Sequence, residues 1–274
     1  MTELPPLTWL YVPADRPDRV VKALASGAHA VIVDLEDAVA PGAKAGARDE
    51  LRHVLAEPAE QPVYIRVNPY DSPWGKPDLE AAAQLPVRGV ILPKTRSATE
   101  AEAAARMLED RLRVICLIET ALGVERAYEI ASDNRVHGIA LGEADLSGQT
   151  GARETGLDWA RSRIVNAAVA AGLPRPPQSV YTNLADPEGL ARSCAHGREL
   201  GFLGRTAIHP RQLPVIEQAY LPTEREAAHA REVVAAFASH ERGAFALDGA
   251  FVDAAIVVAA EQTVALAERY GTTA

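Results

Sequence analysis

Over roughly the first 220 residues, a short β-branched apolar run gives way eight times to an Ala-rich stretch of helical period. Predicted strands cover residues 7–13, 30–34, 63–67, 89–93, 113–118, 138–141, 179–182 and 206–208. Predicted helices follow them at 17–26, 44–56, a stretch ending near 84, 98–108, from 122, from 158, from 187, and at 212–219. Uniform strand–helix alternation demands a parallel sheet, because each crossover returns the chain to the same end. Eight such units favour an α/β fold closed as a (β/α)₈ TIM barrel over an open doubly wound sheet. No GxGxxG or GxxxxGK[ST] follows any strand, which counts against Rossmann and P-loop readings. Residues 1–222 therefore read as one barrel domain. The remainder, 223–274, breaks the rhythm with an amphipathic helix at 224–239, a turn-prone segment at 243–249 and a helix at 251–270. It reads as a C-terminal helical cap or arm.

Charge and cysteine usage narrow the partners. The 28 Lys and Arg residues are outnumbered by 37 acids, for a formal charge of −9. A nucleic-acid surface would show a basic stripe instead, so none is expected. Cys116 and Cys194 lie outside any CxxC or Cys/His set and read as reduced buried thiols. The N-terminus lacks the basic region and apolar run of a signal peptide, and no apolar stretch is long enough to span a bilayer. A cytoplasmic chain is expected.

In a TIM barrel the reaction site lies at the C-terminal ends of the strands, and here those ends are charged. The second strand runs into Asp34-Leu35-Glu36-Asp37, the third ends in Arg66-Val67-Asn68, and the fourth in Pro93-Lys94. The fifth ends in Glu119-Thr120, and the sixth runs into Gly142-Glu143-Ala144-Asp145. Glu119 and Asp145 sit on adjacent strands with small neighbours (Ala121, Gly142, Ala144), which leaves room for a hard cation. Mg²⁺, with Mn²⁺ as a substitute, needs only one or two protein carboxylates. The alternative is that Glu119 merely charges a helix start.

Arg66 can grip a substrate carboxylate through two parallel hydrogen bonds or pair with the acids at 34–37, and both can hold at once. Those acids cannot all stay charged without partners. Glu36, as an orienter of metal-bound water, joins Arg66 and Asp253 in the candidate catalytic set. Gly142, Glu143 and Ala144, with Arg66, form the candidate substrate-binding set. Lys94 reads as a paired ammonium rather than a Schiff-base lysine, and His209 as a satisfied loop histidine. Asp253 lies in an apolar stretch that would raise its pKa for acid or base work; it can equally N-cap the last helix.

Eight segments carry a family resemblance: WLYVPADRPDR (9–19), VIVDLEDAV (31–39), IRVN (65–68), ILPKT (91–95), LIETALG (117–123), GEADL (142–146), AIHPRQ (207–212) and GAFALDGAFVD (243–253). On them the chain resembles the citrate lyase β-subunit family, with its malyl-CoA and citramalyl-CoA lyases, within the wider HpcH/HpaI aldolase superfamily. The resemblance implies Mg²⁺ on Glu119 and Asp145, a 2-oxo-acid carboxylate on Arg66, and CoA phosphates near Arg16. It also implies that Asp253 serves a neighbouring subunit's site, so a homotrimer or a hexamer of two trimers is expected. Three places depart from the family pattern. Gly142-Glu143-Ala144-Asp145 stands where Gly-x-Glu-Asp is common, neutral Gln178–Asn183 replaces an acidic seventh strand, and Ala254 replaces a proline.

The implied activity is cleavage or formation of a carbon–carbon bond in a β-hydroxyacyl-CoA such as malyl-, citramalyl- or citryl-CoA, yielding acyl-CoA and a 2-oxo acid. The rival readings are a metal-dependent aldolase on a free 2-oxo acid, a malyl-CoA-type thioesterase, and a non-catalytic binding barrel.

Overall fold

The computed structural model of the chain describes residues 4–109, 111–239, 244–247 and 250–273. Two compact units emerge, Pro5–Ile216 and a second from Glu217 onward that also takes in Leu4. The first contains seven parallel strands: β1 (Thr8–Pro13), β2 (Ala30–Asp34), β3 (Val63–Arg66), β4 (Gly89–Leu92), β5 (Arg113–Ile118), β6 (Val136–Leu141) and β7 (Arg205–Ala207). Its helices are α1 (Pro17–Leu24), α2 (Lys44–Val54), α3 (Gly75–Ala82), α4 (Ala98–Met107), α5 (Ala121–Glu125), α6 (Ala127–Ala131), α7 (Glu143–Thr150), α8 (Asp158–Ala170) and α9 (Pro187–Glu199); α10 (Leu213–Tyr220) then leads into the second unit.

The strand order is β6-β5-β4-β3-β2-β1-β7, so β1 lies inside the sheet beside both β2 and β7. Gly204, just before β7, has φ +80 and packs its backbone against the Leu7 carbonyl, where a Cβ would collide. That contact lets β7 close on β1 and makes glycine necessary there.

The expected strand at 179–182 does not form. Only Gln178 makes a strand bridge, to Arg205, while Leu203, Gln178 and Thr206 exchange backbone hydrogen bonds of 2.9 Å across this seam with Pro176, Gly204 and Gln178. The backbone pairing thus falls on residues 176–178, ahead of the expected segment, where Pro176 and Pro177 can accept but not donate and so limit it to a single bridge. On its other side the Ser179 hydroxyl donates to Leu141 O of β6. A side chain thus completes the seventh position of the TIM barrel.

Alternation along the strands sends every second residue inward. Trp9, Ala30, Ile32, Tyr64, Ile91, Leu117 and Ala140 fill the barrel as one buried cluster, with the Trp9 and Tyr64 rings 5.1 Å apart. The helix α7 was not foreseen. Only Leu146 on it is buried, so it lacks the apolar stripe by which a helix is read from sequence.

The second unit packs α11 (Glu224–Ser239) against α12 (Ala254–Tyr270), joined through the antiparallel strands β8 (Ala244–Leu247) and β9 (Ala250–Asp253). Its core includes Ala230, Val233, Val252, Val257 and Ala260. The helix expected at 251–270 therefore starts three residues late, because Phe251–Asp253 pair as strand. Of the expected turn at 243–249, residues 243, 248 and 249 lie outside the described residues. Both cysteines are free and buried, and among the described residues no helix is long and apolar enough to cross a membrane.

Candidate active site

The inward parity of the buried layer continues one step toward the C-terminal mouth. Above Trp9 it reaches Tyr11, above Ile32 Asp34, above Tyr64 Arg66, above Leu117 Glu119, and above Ala140 Gly142. The same alternation that builds an apolar plug therefore stacks polar groups on top of it.

Asp34 and Arg66 are register partners on β2 and β3. Arg66 donates through Nε to Asp34 Oδ1 at 2.7 Å and through Nη2 to Oδ2 at 2.6 Å. Asp34 also accepts from the backbone N–H of Glu36 (2.9 Å) and Ala38 (3.1 Å), so its buried charge is fully matched. Arg66 Nη1 lies 3.0 Å from Glu36 Oε2, and the guanidinium covers the Tyr11 ring at 4.9 Å. The pairing of Arg66 with the acids, foreseen as one option, is therefore real, and Nη1 also donates to Asp37 Oδ2 at 3.5 Å.

Lys94 is a paired ammonium, as read from sequence. Its backbone takes φ +52, and Nζ reaches Glu36 Oε1 at 2.7 Å, Asp145 Oδ2 at 3.2 Å and Glu119 Oε1 at 3.8 Å. Burial opposes its charge, but the Glu36 hydrogen bond and the surrounding carboxylates outweigh that and raise its pKa. Glu119 is 3% exposed and accepts from the Lys94 N–H at 2.7 Å. Burial first, and the Glu36 charge second, push its pKa up to about 8 against the pull of Lys94. Glu36 is raised too, again chiefly by burial. Its Oε2, although near Arg66, has no aligned hydrogen bond and is a buried acceptor without a donor.

Glu119 and Asp145 converge on one cationic group, and the Glu119 carboxylate lies where a side chain on Gly142 would be. Among the described residues no three His, Cys, Asp or Glu form a ready-made metal cage. Two hard oxygens, an orphaned third acceptor on Glu36 and an open mouth nonetheless suit an ion that keeps water and substrate in its shell, as Mg²⁺ does.

Asp145 is the third residue of α7, whose N-cap Gly142 contributes no side-chain acceptor to the first-turn N–H groups. Glu143 is not available to a ligand through its carboxylate: Arg161 grips both oxygens, at 3.0 and 2.5 Å. The Glu143 backbone N–H, the group through which a substrate role is expected, stands in the first turn of α7. Arg16 is exposed at the start of α1 and paired with Asp18 at 3.2 Å. His209 accepts from the Arg211 N–H, the satisfied loop role expected of it. In the second unit, Asp253 caps α12 by accepting from Ala255 and Ile256 N–H at 3.0 and 3.1 Å. Its neighbours Phe251, Ile256 and Val258 are exposed there.

Sequence reasoning missed a support behind the acid loop. Buried Lys44 donates to the carbonyls of Leu35 (2.8 Å) and Glu36 (2.6 Å), and Asn68, held by buried Asp78, donates to Leu35 O at 2.9 Å. All three, Lys44, Asn68 and Asp78, are polar residues that the fold buries, which is rare unless each is partnered.

A family model described as HpcH/HpaI aldolase/citrate lyase matches residues 7–210. The chain belongs to the HpcH/HpaI aldolase/citrate lyase family. A second model, for a carbon–carbon bond lyase of the TIM-barrel fold, matches residues 159–272. Among relatives of this family, a (3S)-malyl-CoA thioesterase from Cereibacter sphaeroides is 37% identical, with 94% of this chain and 93% of that protein covered. A citrate lyase subunit beta-like protein from Mycobacterium tuberculosis is 40% identical, with 92% of each covered. The M. tuberculosis protein CitE, solved with magnesium, acetoacetate and coenzyme A, superposes with a TM-score of 0.84 at 36% identity, covering 98% of this chain and 100% of that one.

Proposed function

We propose that this protein is a Mg²⁺-dependent carbon–carbon lyase of β-hydroxyacyl-CoA thioesters such as malyl-, citramalyl- or citryl-CoA, releasing or joining an acyl-CoA and a 2-oxo acid. The observation that carries this is the convergence of Glu119 and Asp145 on one cation position beside Arg66 and the uncapped start of α7. The ligands of the M. tuberculosis CitE structure support the same metal and thioester.

When bound, the ion supplies a Lewis acid that offsets charge developing on substrate oxygens. Arg66, fixed in advance by Asp34, orients the substrate carboxylate through Nη1, the nitrogen it otherwise turns to Glu36 and Asp37. The N–H groups of Glu143, Ala144 and Asp145 add donors for the 2-oxo acid. Cleavage removes the hydroxyl proton, for which Glu36 Oε2 is the available acceptor, and leaves an electron pair on the thioester α-carbon. Asp253 of a neighbouring copy returns a proton to that carbon, and Arg16 meets the CoA phosphates.

The decisive assay incubates the protein with Mg²⁺ and malyl-CoA and follows the 2-oxo acid and free thiol together. A lyase gives 2-oxo acid without thiol. Free thiol and a dicarboxylic acid would support the thioesterase reading, which the malyl-CoA thioesterase relative favours. Neither product, with turnover of a free 2-oxo acid aldol, would replace both.

Asp253→Asn should abolish deuterium exchange into the acyl-CoA methyl group while sparing 2-oxo-acid binding; unchanged exchange removes Asp253 from the chemistry. Mixing that variant with Glu119→Ala copies should restore activity if the site is shared between subunits. Arg66→Lys breaks the two-pronged bond to Asp34 and should raise KM by about 10- to 100-fold; an unaltered KM would take Arg66 off the carboxylate.

The Glu119 shift gives a pH dependence with a definite sign. Its metal-free pKa of about 8 lies above the unfolded value, so its stabilising contribution is complete below about pH 4.5 and is lost as pH rises through 8. Mg²⁺ binds the charged form, so below pH 8 binding must expel a proton and weakens by up to about tenfold per pH unit. Melting curves with and without Mg²⁺ should therefore diverge more near pH 9 than near pH 6.5. Equal divergence at both would contradict the pairing of Glu119 with the ion.

A further inference from the structure

We propose that Arg161 is a positioning residue for the metal pair: by clamping Glu143 to α8 it sets the rotation of the first turn of α7 and so aims Asp145 at Glu119. The inference rests on the metal reading above and adds a residue that does not touch the ion. Arg161 is 8% exposed, on the inner face of α8 with Ala160, Ile164, Ala167 and Ala168. A guanidinium on an apolar helix face is costly to desolvate unless its donors are matched. Here Nε and Nη2 take both oxygens of Glu143, and Nη1 takes Asp158 Oδ1 at 2.8 Å and Glu154 O at 3.1 Å. Asp158 is held in turn by His196 Nε2 at 3.0 Å. One side chain therefore ties the start of α7, the loop that follows α7 and the start of α8 together.

Little else fixes α7. It buries Leu146 alone, and its other polar ties are Asp145 to Lys94, Ser147 Oγ donating to Ala152 O in the following loop at 2.6 Å, and Gln149 Oε1 accepting from Ala121 N–H at 2.7 Å near the opposite end. Glu143 and Asp145 are the first and third residues of the same turn, and point to different partners: one to Arg161, the other to Lys94 at 3.2 Å. A carboxylate sits ~5–6 Å from a helix axis, so a rotation of about 20° moves it by about 2 Å. That is as long as an Mg–O bond. Losing the clamp thus misaligns a ligand without removing it.

Titration calorimetry of the metal-free protein with MgCl₂ tests this, using Arg161→Lys, Arg161→Met and Glu143→Ala. Each should weaken Mg²⁺ binding by about 10- to 100-fold, the range for lost supports of metal ligands. The double variant Arg161→Met/Glu143→Ala should be no weaker than the worse single one. A merely structural role would lower the melting temperature and leave the Mg²⁺ affinity within about twofold of wild type, which would overturn the proposal. Should Arg161→Met not fold, Glu143→Ala alone decides it. Absence of Mg²⁺ binding by the wild type would remove the metal reading and this proposal with it, whereas wild-type binding matched by the variants removes this proposal only.

Discussion

Glu119→Ala and Asp145→Ala should each cut Mg²⁺-dependent turnover by about three orders of magnitude, ~4 kcal/mol of transition-state stabilisation, without unfolding the barrel. The two differ in what else they disturb. Asp145 is nearly half exposed, and its loss frees Lys94 from one of three carboxylates. Glu119 is buried and already disfavours its charge, so its removal relieves a cost that the metal-free protein carries above pH 8. Glu119→Gln should therefore be inactive yet melt higher than wild type in chelator at pH 9. Wild-type turnover that persists in chelator, or in either alanine variant, would end the metal account. A Glu119→Gln protein that melts lower than wild type would show that the carboxylate is better matched than its burial suggests.

How far the site could be read in advance depended on whether barrel geometry or a distant partner placed the residue. Acids at strand ends were legible because strand alternation and closure collect them at one rim, and Asp34, Arg66 and Glu119 occupy inward positions there. The choice of Asp34 as the partner of Arg66 follows from a register in which the two face each other, which strand boundaries alone do not fix. The partner of Glu143 was not legible for a related reason. It lies in the first turn of a later helix, where the signal was a lone arginine on an otherwise apolar face. The seventh strand was expected at 179–182, but the pairing falls just before it, at 176–178, where two prolines limit it to a single bridge. In the tail, Asp253 both ends β9 and caps α12, so the single helix expected there had to split.

Gly142→Ala should be nearly as damaging as loss of a metal ligand, although it adds one methyl group and touches no charge. Gly142 has φ −95 and ψ 90, which any residue tolerates, so backbone strain is not the reason for glycine. The reason is space: a Cβ would overlap Glu119 Oε2 and lie 2.5 Å from Glu119 Cβ. No rotamer moves the Glu119 Cβ, so the end of β5 and the start of α7 must part, which carries the Glu119 carboxylate away from the Lys94 N–H that it accepts from at 2.7 Å. A displacement of about 1 Å in a positioned catalytic group is enough to cost roughly 100-fold in rate. Gly148→Ala is the control, because it lies in the same helix and a Cβ there meets nothing within 4 Å. That variant should keep wild-type turnover and gain up to ~1 kcal/mol in stability from helix propensity. Equal activity of the two variants would mean that Glu119 can hold the ion after such a shift, and that the contact between β5 and the start of α7 does not set the metal geometry.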